Sequence, residues 1–546
     1  MKTKKIIALV LSLLMVMSIL AACGSDSSST PADDTSDASS QAGGGQMATE
    51  GEDAQGADVT TRPTAIQPGT SFSYWINYDM PWMDNRATVL MLQVYDNLLY
   101  KHNANGDDIR GNLAESWDVS EDGLVWTFQI KQDAYFTSGN QVNAEAFVKT
   151  WDEAKEFQSR MFAPVESYVA TGEFELTVTL HSPSATFIYD LPMQSLTGVV
   201  DPALLEEYGP DDIRAAVGCG PYYIESYTSG EGFVLKANPN YHNPDRQPCI
   251  ETVNLVLIPD ENTAVIALMN GELDSMNTVN IEVYNNLVEA EWDVSIVTDR
   301  HNAYWYNLRE VELFRDPVVR EALCHMIDWQ AVSDIVYDGM FPDPGSLWQG
   351  PGEYPYDDGY TYDPELGIQM LEDAGYSKDD IKFTMLADPD FTDQEVAIQG
   401  QFQELGFNNV ETVTYDGATC YGMLKGGTYE MFPVHNGYGV ESPLTPYSMG
   451  LTPEGTQRVM WLEYADEDRY AEALEYYNLA NTALDWDTYL ENVTKISQIM
   501  VEENLFMGGL LTMRMYGVNP RFGGVYIAPI TGYFDFCYLW DTEAAA

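Results

Sequence analysis

Hydrophobic and polar side chains alternate along several short stretches in the first half of the chain. Residues 126–130 and 174–180 alternate beside the polar clusters SEDG and TSGN, and residues 221–227, 232–238 and 252–260 form a second group. A period of two is typical of strands that bury one face, and SGEG between two of these stretches has the composition of a hairpin turn. The pattern therefore predicts a first half that is rich in strands.

A helical spacing of apolar residues replaces this alternation in the second half. In RDPVVREALCHMIDW, Asp316 stands where a helix cap is expected and Pro317 where the helix begins. Apolar side chains follow along one face at Val318, Ala322 and Met326. The segment therefore predicts a helix that begins at Pro317.

Later segments extend the pattern. DPELGIQMLEDAGY has Asp363 as a cap, Pro364 as the first helical residue and Gly375 as the stop. Residues 467–503 have a mostly helical pattern that predicts more than one helix, and GGLLTMRMYGV, residues 508–518, has the pattern of a strand. Strand-rich and helix-rich segments alternate in an order that predicts an α/β protein.

One block in the strand-rich half predicts a small sheet with its own core. LAESWDVSEDGLVWTFQI places two strands around an Asp-Gly turn, and its apolar residues are expected to be buried together. These residues are Trp117, Val119, Leu124, Trp126, Phe128 and Ile130.

Residues 1–22 have the pattern of a secretory signal peptide. A basic start at Lys2, Lys4 and Lys5 precedes an apolar run over residues 6–20 that is too short for a comfortable membrane span. The run ends in LAAC, which resembles the bacterial lipobox, whose cysteine is lipidated and becomes the first residue of the mature chain. Cys23 is therefore the predicted lipid anchor, and an ordinary cleaved signal beside an unmodified thiol is the alternative.

The residues that follow, 23–61, predict a disordered acidic tether. From residue 24 on they are mainly Ser, Asp, Gly, Ala and Thr, with acidic side chains and no Lys or Arg. Such a segment cannot bury enough apolar surface to offset the entropy cost of ordering it. We expect it to hold a folded body away from a membrane.

The rest of the chain, residues 62–546, has the length of about three domains. The whole chain is 45% hydrophobic and 12% aromatic, which are globular values. Its formal net charge is −59, so phosphate backbones would be repelled, and no nucleic-acid partner is expected. The acidic surface favours solubility and would attract a cationic solute.

Several kinds of chemistry are not indicated. The chain has no G-x-G-x-x-G, P-loop, H-E-x-x-H or G-x-S-x-G motif, and its six histidines include no i, i+4 pair. We therefore expect no enzyme, no cofactor and no metal site. Besides Cys23 there are five cysteines without C-x-x-C spacing; Cys219 and Cys249 can form one bridge, which the sequence leaves open.

Blocks spread over nearly the whole mature chain resemble one protein family. The chain is similar to the peptide/nickel family (family 5) of extracellular solute-binding proteins that serve ABC importers. The blocks, in the order of the family, are YDNLLY (95–100), GNLAESWDVSEDGLVWTFQIKQDAYFTSGNQVNAEAFVKTWD (111–152), GCGPYYIESYTSGEGFVLKANPNYH (218–242), NGELDSM (270–276), FRDPVVREALCHMIDWQAV (314–332) and YDPELGIQMLEDAGY (362–376).

The resemblance implies an α/β fold: a two-lobed periplasmic-binding-protein clamp of class II, with the extra domain of the dipeptide/oligopeptide-binding group. Lobe I would comprise residues 62–97, 200–297 and 515–546, the extra domain residues 98–199, and lobe II residues 298–514. The chain would cross between lobes near residues 304–306 and 513–516. Ligand would lie between the lobes and stabilise the closed form.

The resemblance also implies which residues line the cleft. After the Gly-Glu-Leu-Asp block these are Met276, Asn277 and Thr278, where Asn277 can bond an extended backbone or its own chain. Trp75, Tyr78 and Trp82 would lie beside the cleft, as ligand contacts or as core, and Tyr304 would lie at a crossing.

The segment GTYEMFPVHNGYGVESP, residues 427–443, is where peptide-binding relatives commonly carry a Trp and, three residues later, an Asp that pairs with the peptide amino terminus. This chain has Asn436 and Gly439 there, which weakens a peptide assignment. Glu441 can substitute as the carboxylate or be a solvated loop acid, and His435 and Tyr438 are further candidate contacts.

The expected function is that of an extracytoplasmic receptor, monomeric and anchored to the bacterial membrane through lipid on Cys23. It would deliver a small solute, with a short peptide as the commonest ligand class, to the permease subunits of an ABC importer. An oligosaccharide or a metal chelate is the alternative ligand. A glycoside hydrolase or a sensory receptor is the alternative in another class.

Overall fold

The fold is described from a computed structural model of the chain. The described residues are 62–77, 88–101, 109–155, 162, 164–184, 186–191, 198–343, 361–387, 392–437, 444–452, 462–527 and 534–544. All of them belong to one of the two compact units into which the chain divides, Gln46–Ala546.

The described residues contain eighteen strands, which we number in chain order. They are β1 Gln67–Ile76, β2 Leu99–Lys101, β3 Ile109–Gly111, β4 Ala114–Val119, β5 Val125–Ile130, β6 Val165–Gly172, β7 Glu175–Leu180, β8 Tyr222–Thr228, β9 Gly232–Ala237, β10 Ile250–Leu257, β11 Ser275–Thr278, β12 Asp293–Tyr306, β13 Phe383–Ala387, β14 Val410–Thr414, β15 Met431–Gly437, β16 Phe506–Val518, β17 Phe522–Gly523 and β18 Trp540–Asp541.

The same part of the chain contains fourteen α-helices. They are α1 Thr88–Val94, α2 Ala144–Ala154, α3 Phe187–Asp190, α4 Pro202–Tyr208, α5 Glu261–Met269, α6 Ile281–Glu289, α7 Pro317–Cys324, α8 Trp329–Tyr337, α9 Pro364–Asp373, α10 Thr392–Glu404, α11 Gly417–Gly426, α12 Thr445–Leu451, α13 Glu467–Asn481 and α14 Trp486–Glu502. Helices and strands are mixed along the chain, so the fold is of the predicted α/β class.

A ten-stranded sheet organises the fold, in the order β14-β13-β15-β12-β16-β11-β1-β10-β9-β8. The long strands β12 and β16 pair antiparallel at its centre, with β15 beyond β12 and β11 beyond β16. Residues 304–306 and 513–516, where the chain was expected to cross between lobes, lie in these two strands. A separate four-stranded sheet has the order β4-β5-β7-β6.

Buried side chains form separate clusters on this framework. The largest draws almost all its members from residues 303–515. A second combines residues 72–255 with residues 516–539, and a third lies within residues 98–219 around the four-stranded sheet. A small fourth cluster contains Trp75 and Met276 together with residues of α5 and α6.

The local predictions for strands and helix ends are largely confirmed. The stretches 221–227, 232–238 and 252–260 correspond to β8, β9 and β10, and β8 and β9 pair as a hairpin around SGEG. The carboxylate of Asp316 accepts from the Val318 N–H at the start of α7, and that of Asp363 caps α9. Residues 467–503 hold α13 and α14, as expected.

Two predictions about apolar positions are wrong. Val119 is 47% exposed, because it lies at the end of β4, an edge strand of the four-stranded sheet, beyond the side chains that form the core. Met326 is buried but does not lie on α7, which ends at Cys324; Asp328 then caps a new helix, α8. The buried face of α7 consequently includes Val319 rather than Val318.

The bridge between Cys219 and Cys249 that the sequence left open is not formed. Both thiols are buried outside any disulfide. Cys219 belongs to the third core cluster, whereas the Cys249 thiol donates to the carbonyl oxygen of Pro63 at 3.0 Å. The two side chains therefore have different surroundings.

Candidate functional site

Two strands of the large sheet end at staggered positions on opposite sides of its central β12–β16 pair. β11 runs antiparallel to β16 and its last residue, Thr278, pairs with Met515. β15 ends at Gly437, which pairs with Arg300 of β12, and Arg300 in turn pairs with Thr512 of β16. The two ends are thus offset by about 10 Å along β16, and β12 and β16 lie between them. We call the stretch between these two ends the strand-end gap.

Polar side chains mark the strand-end gap in otherwise buried strands. Within β16, Leu511 and Arg514 are the positions that are not fully buried, and within β11 it is Asn277. Asn277 pairs with Tyr516, two residues from Arg514, so that Asn277 and Arg514 lie on the same face of the sheet. A half-buried amide and a half-buried guanidinium therefore stand side by side at the gap.

The amide of Asn277 is held by two contacts. Its Nδ2 donates to the Tyr74 hydroxyl at 2.7 Å, and its Oδ1 lies 3.4 Å from Nη1 of Arg514, which donates to it. Tyr74 is buried in β1 and provides a rigid support. An asparagine and an arginine in this arrangement can offer several hydrogen-bond donors to carbonyl or carboxylate oxygens of a solute.

The neighbours of Asn277 in the predicted set are buried. Met276 packs in the fourth core cluster with Trp75, whose indole Nε1 donates to the Ile258 carbonyl at 2.8 Å. The Thr278 hydroxyl donates to Oε1 of Glu261 at 2.7 Å. These three side chains lie around Asn277 and pack against the protein, and their ligand roles stay predictions.

Tyr304 lies farther from the gap. It pairs with Pro433, four residues before the end of β15. Its hydroxyl donates to Glu395 at 2.8 Å and accepts from Gln394 at 2.6 Å, and its ring stacks on Trp329. Burial raises the pKa of Tyr304 well above its ordinary value, and the Glu395 carboxylate adds to the shift, so the phenol is neutral at physiological pH.

The remaining predicted contacts are only partly visible. The backbone of His435 and Asn436 lies in β15, paired with Asn302 and His301 directly before the gap. The side chains of these two residues, and the residues Tyr78, Trp82, Tyr438, Gly439 and Glu441, lie outside what the structure describes. Cys23 lies outside it as well.

Arg514 was missed in the sequence. A signal was present, since Arg514 is the single charged residue in the otherwise apolar stretch GGLLTMRMYGV of a chain with only 26 basic residues. Its significance needed the sheet order, because only the pairing of β16 with β11 brings it to Asn277.

Within the described residues, no group of three or more His, Cys, Asp or Glu side chains is arranged to hold a metal ion. The same part of the chain contains no helix with the length and apolar character needed to span a bilayer.

Comparison with known proteins decides the family. The family profile of the bacterial extracellular solute-binding proteins, family 5 Middle, matches residues 108–458. The chain belongs to family 5 of the bacterial extracellular solute-binding proteins. The extracytoplasmic location and the two-lobed fold that the sequence predicted agree with this membership. Family 5 consists of binding proteins, which agrees with the prediction that the chain is not an enzyme and gives the glycoside hydrolase alternative no support.

Curated relatives of the chain are named as dipeptide-, oligopeptide- or glutathione-binding proteins. It is 27% identical over 297 residues to the probable D,D-dipeptide-binding periplasmic protein DdpA of Escherichia coli K12, covering 50% of this chain and 55% of DdpA. It is 27% identical over 405 residues to the oligopeptide-binding protein AppA of Bacillus subtilis 168, covering 69% of this chain and 68% of AppA. It is 25% identical over 279 residues to the glutathione-binding protein GsiB of Escherichia coli K12, covering 49% of this chain and 53% of GsiB. Against DdpA and GsiB, the chain spans about half the length of the relatives it matches.

Solved structures share the fold over most of the chain. NikA from Brucella suis, in complex with Fe(III)-EDTA, has a TM-score of 0.76 at 18% identity, covering 86% of this chain and 100% of NikA. The substrate-binding protein CtaP from Listeria monocytogenes has a TM-score of 0.74 at 19% identity, covering 87% and 100%. Family 5 proteins of this architecture are two-lobed clamps, so the predicted fold class is confirmed.

Proposed function

We propose that this family 5 protein is a receptor that binds a small solute at the strand-end gap and presents it to the permease subunits of an ABC importer. The observation that carries the proposal is the contact between Asn277 and Arg514 at the centre of the large sheet, where β11 and β15 end on opposite sides of the β12–β16 pair. A site there would contact the segments that follow both strands, and a ligand that touches both can favour one arrangement of the lobes over another.

The lobes of this receptor would be those expected from the sequence: residues 62–97, 200–297 and 515–546 as lobe I, residues 98–199 as the extra domain, and residues 298–514 as lobe II. The separate core clusters support this division, since most members of each come from one of these sets. β12 and β16 would then be the connections, and closure a hinge motion about them in a monomer.

For the ligand we propose a short peptide. The names of DdpA, AppA and GsiB support this class, because a D,D-dipeptide, an oligopeptide and glutathione all carry a backbone amide and a carboxylate. Asn277 would bond the amide and Arg514 the carboxylate, and a charge-assisted bond to a guanidinium is one of the stronger polar contacts. Glu441 is the proposed partner of the amino terminus.

Titration calorimetry with di-, tri- and tetrapeptides tests the ligand class. We expect Arg514→Gln to weaken the binding of a peptide at least tenfold and to leave the affinity for the same peptide with an amidated carboxyl end nearly unchanged. Arg214→Gln is the matched control, since it removes the same charge from an exposed arginine paired with Asp212. Glu441→Gln should weaken the same peptides, and an unchanged affinity would remove its role.

A metal chelate is the second candidate, because NikA holds Fe(III)-EDTA and Arg514 would also suit a polycarboxylate. Heat with Fe(III)-EDTA and none with any peptide would replace the peptide by this class. Heat only with glycans would favour the oligosaccharide that the sequence left open. If none of the three classes binds to folded protein, the proposed ligand site is wrong.

We also propose that the protein is tethered to the membrane by lipid on Cys23. The LAAC pattern and the acidic segment 23–61 support this, and both precede the described residues. Cys23→Ser should release the protein from the cell and abolish incorporation of labelled palmitate, with solute affinity intact. Palmitate labelling of the Cys23→Ser variant at the wild-type level would contradict the anchor.

A further inference from the structure

A cavity lies far in sequence from the strand-end gap, between the four-stranded sheet and the α13–α14 connection. Its volume is about 430 Å³, within the range of small-molecule sites. One wall comes from residues 119–126 at the β4–β5 turn and from residues 184–188, and the other from residues 483–486. None of its lining residues belongs to β11, β15 or β16.

The two walls meet closely at one edge. A Cβ atom placed on Gly123 would lie only 2.6 Å from Cδ2 of Leu484, so the turn and the helix connection approach each other as far as a glycine allows. Trp126 belongs to the third core cluster, whereas Ala483 belongs to the largest one. The cavity therefore lies between two separately packed parts of the chain.

The lining combines an apolar surface with aromatic rings. Val119 and Leu484 both line it and are 47% and 63% exposed, which is high for large apolar side chains. Trp126 and Trp486 supply indole rings, and the ring of Trp486 stacks on Tyr489. Such a surface suits the hydrophobic or aromatic body of a small molecule.

Two carboxylates complete the lining, and its described residues include no Lys, Arg or His. They belong to Glu121, in the β4–β5 turn, and Asp485, the cap of α14. Asp485 accepts from the backbone N–H and hydroxyl of Thr488, at 2.8 Å each, and these bonds lower its pKa. Among the described residues, neither carboxylate forms an ion pair with Lys or Arg. No basic side chain among those residues therefore balances the negative charge of the cavity.

We propose that this cavity is a second ligand site, specific for a small organic cation that has an aromatic or apolar body. The ammonium group lies between Glu121 and Asp485, and the indole rings add a favourable cation–π environment. The apolar body covers Val119 and Leu484. Because the walls belong to two separately packed parts, an occupant holds those parts together.

Tyramine is the probe, because it joins an ammonium group to an aromatic ring. 4-Hydroxyphenylacetate has the same body with a carboxylate in place of the amine, and 4-hydroxyphenylethanol has no charge. Titration calorimetry on the full chain should show one site for tyramine, at least tenfold weaker binding of the alcohol, and still weaker binding of the acid.

Variants separate this site from the general attraction of an acidic protein for amines. Glu121→Gln with Asp485→Asn removes both charges, and asparagine preserves the helix cap. We expect it to weaken tyramine binding at least tenfold. Glu115→Gln with Asp487→Asn is the matched control, since both residues are exposed, lie nearby in β4 and α14 and line no part of the cavity, and it should change the affinity less than twofold.

Two more variants locate the site. Val119→Trp fills the cavity from an exposed strand position and should abolish tyramine binding, while Arg514→Gln at the strand-end gap should leave it unchanged. No heat with tyramine, equal affinity for the amine and the acid, or an equal loss in the control double variant would each overturn the proposal. Loss of tyramine binding on Arg514→Gln would assign the amine to the strand-end gap, independently of whether peptides bind there.

Discussion

His301 is expected to make the protein sensitive to acid. It lies in β12 at the centre of the large sheet, paired with Asn436 of β15 and Leu511 of β16, and it is fully buried. Burial lowers the pKa of its imidazole from 6.5 to about 4, against a smaller opposing effect of a hydrogen bond to the Gly509 backbone. The neutral ring is therefore the folded form over most of the accessible pH range.

The sign and size of the effect follow from proton linkage. In the unfolded chain His301 takes up a proton near pH 6.5, whereas in the folded chain it does so only near pH 4. Below pH 6.5 the unfolded state thus binds more protons, and the free energy of unfolding falls as the pH is lowered towards 4. Between pH 7 and pH 5 this one residue should account for a loss of about 2 kcal/mol.

Two measurements check this expectation. NMR of protein labelled with ¹³C-histidine, with the resonance assigned by its loss in His301→Gln, should show no titration of this ring above pH 5. Urea unfolding at pH 7 and pH 5 should show that the wild type loses about 2 kcal/mol more than His301→Gln does. His181→Gln, which replaces an exposed histidine, is the control and should follow the wild type.

The comparison between variants is necessary because the 85 acidic residues have their own pH dependence, which is common to all three proteins. A titration midpoint near pH 6.5, or parallel losses of stability in the wild type and His301→Gln, would refute the assigned environment of this ring.

Three further expectations concern the framework that supports the sheet. Arg320 is buried and donates to the carbonyl oxygen and the carboxylate of Glu503. Because lysine cannot reproduce the planar guanidinium, Arg320→Lys should lower the free energy of unfolding by about 2 kcal/mol in urea titrations. A loss below about 0.5 kcal/mol would contradict this role. A Cβ on Gly509 would lie 1.7 Å from the Asn302 carbonyl oxygen, so Gly509→Ala should separate β16 from β12 and lower the thermal midpoint by more than 5 °C, and an unchanged midpoint would refute the close approach. Asp316→Ala should cost about 1 kcal/mol through loss of the α7 cap while Asp316→Asn retains most of it, and equal losses in the two variants would argue against capping.

Helix starts and the family could be predicted because their signals are local or directly comparable. Asp316 followed by Pro317, and Asp363 followed by Pro364, begin helices through contacts within three residues, and both predictions are confirmed. Burial was less predictable: Val119 fits the apolar pattern of its strand but lies at an uncovered edge. A periodic pattern shows which face is apolar, whereas the neighbours in space decide whether that face is covered.

The sequence by itself determined the α/β class, the starts of α7 and α9 and the resemblance to family 5, because capping, periodicity and family blocks depend on residues that are close together in the sequence. Only the tertiary structure brought Asn277 to Arg514, which lie 237 residues apart. The order and register of the strands also decided the burial of His301 and the cavity between the β4–β5 turn and the α13–α14 connection. The physical reason is that strand pairing joins distant segments, so their contacts depend on the whole sheet.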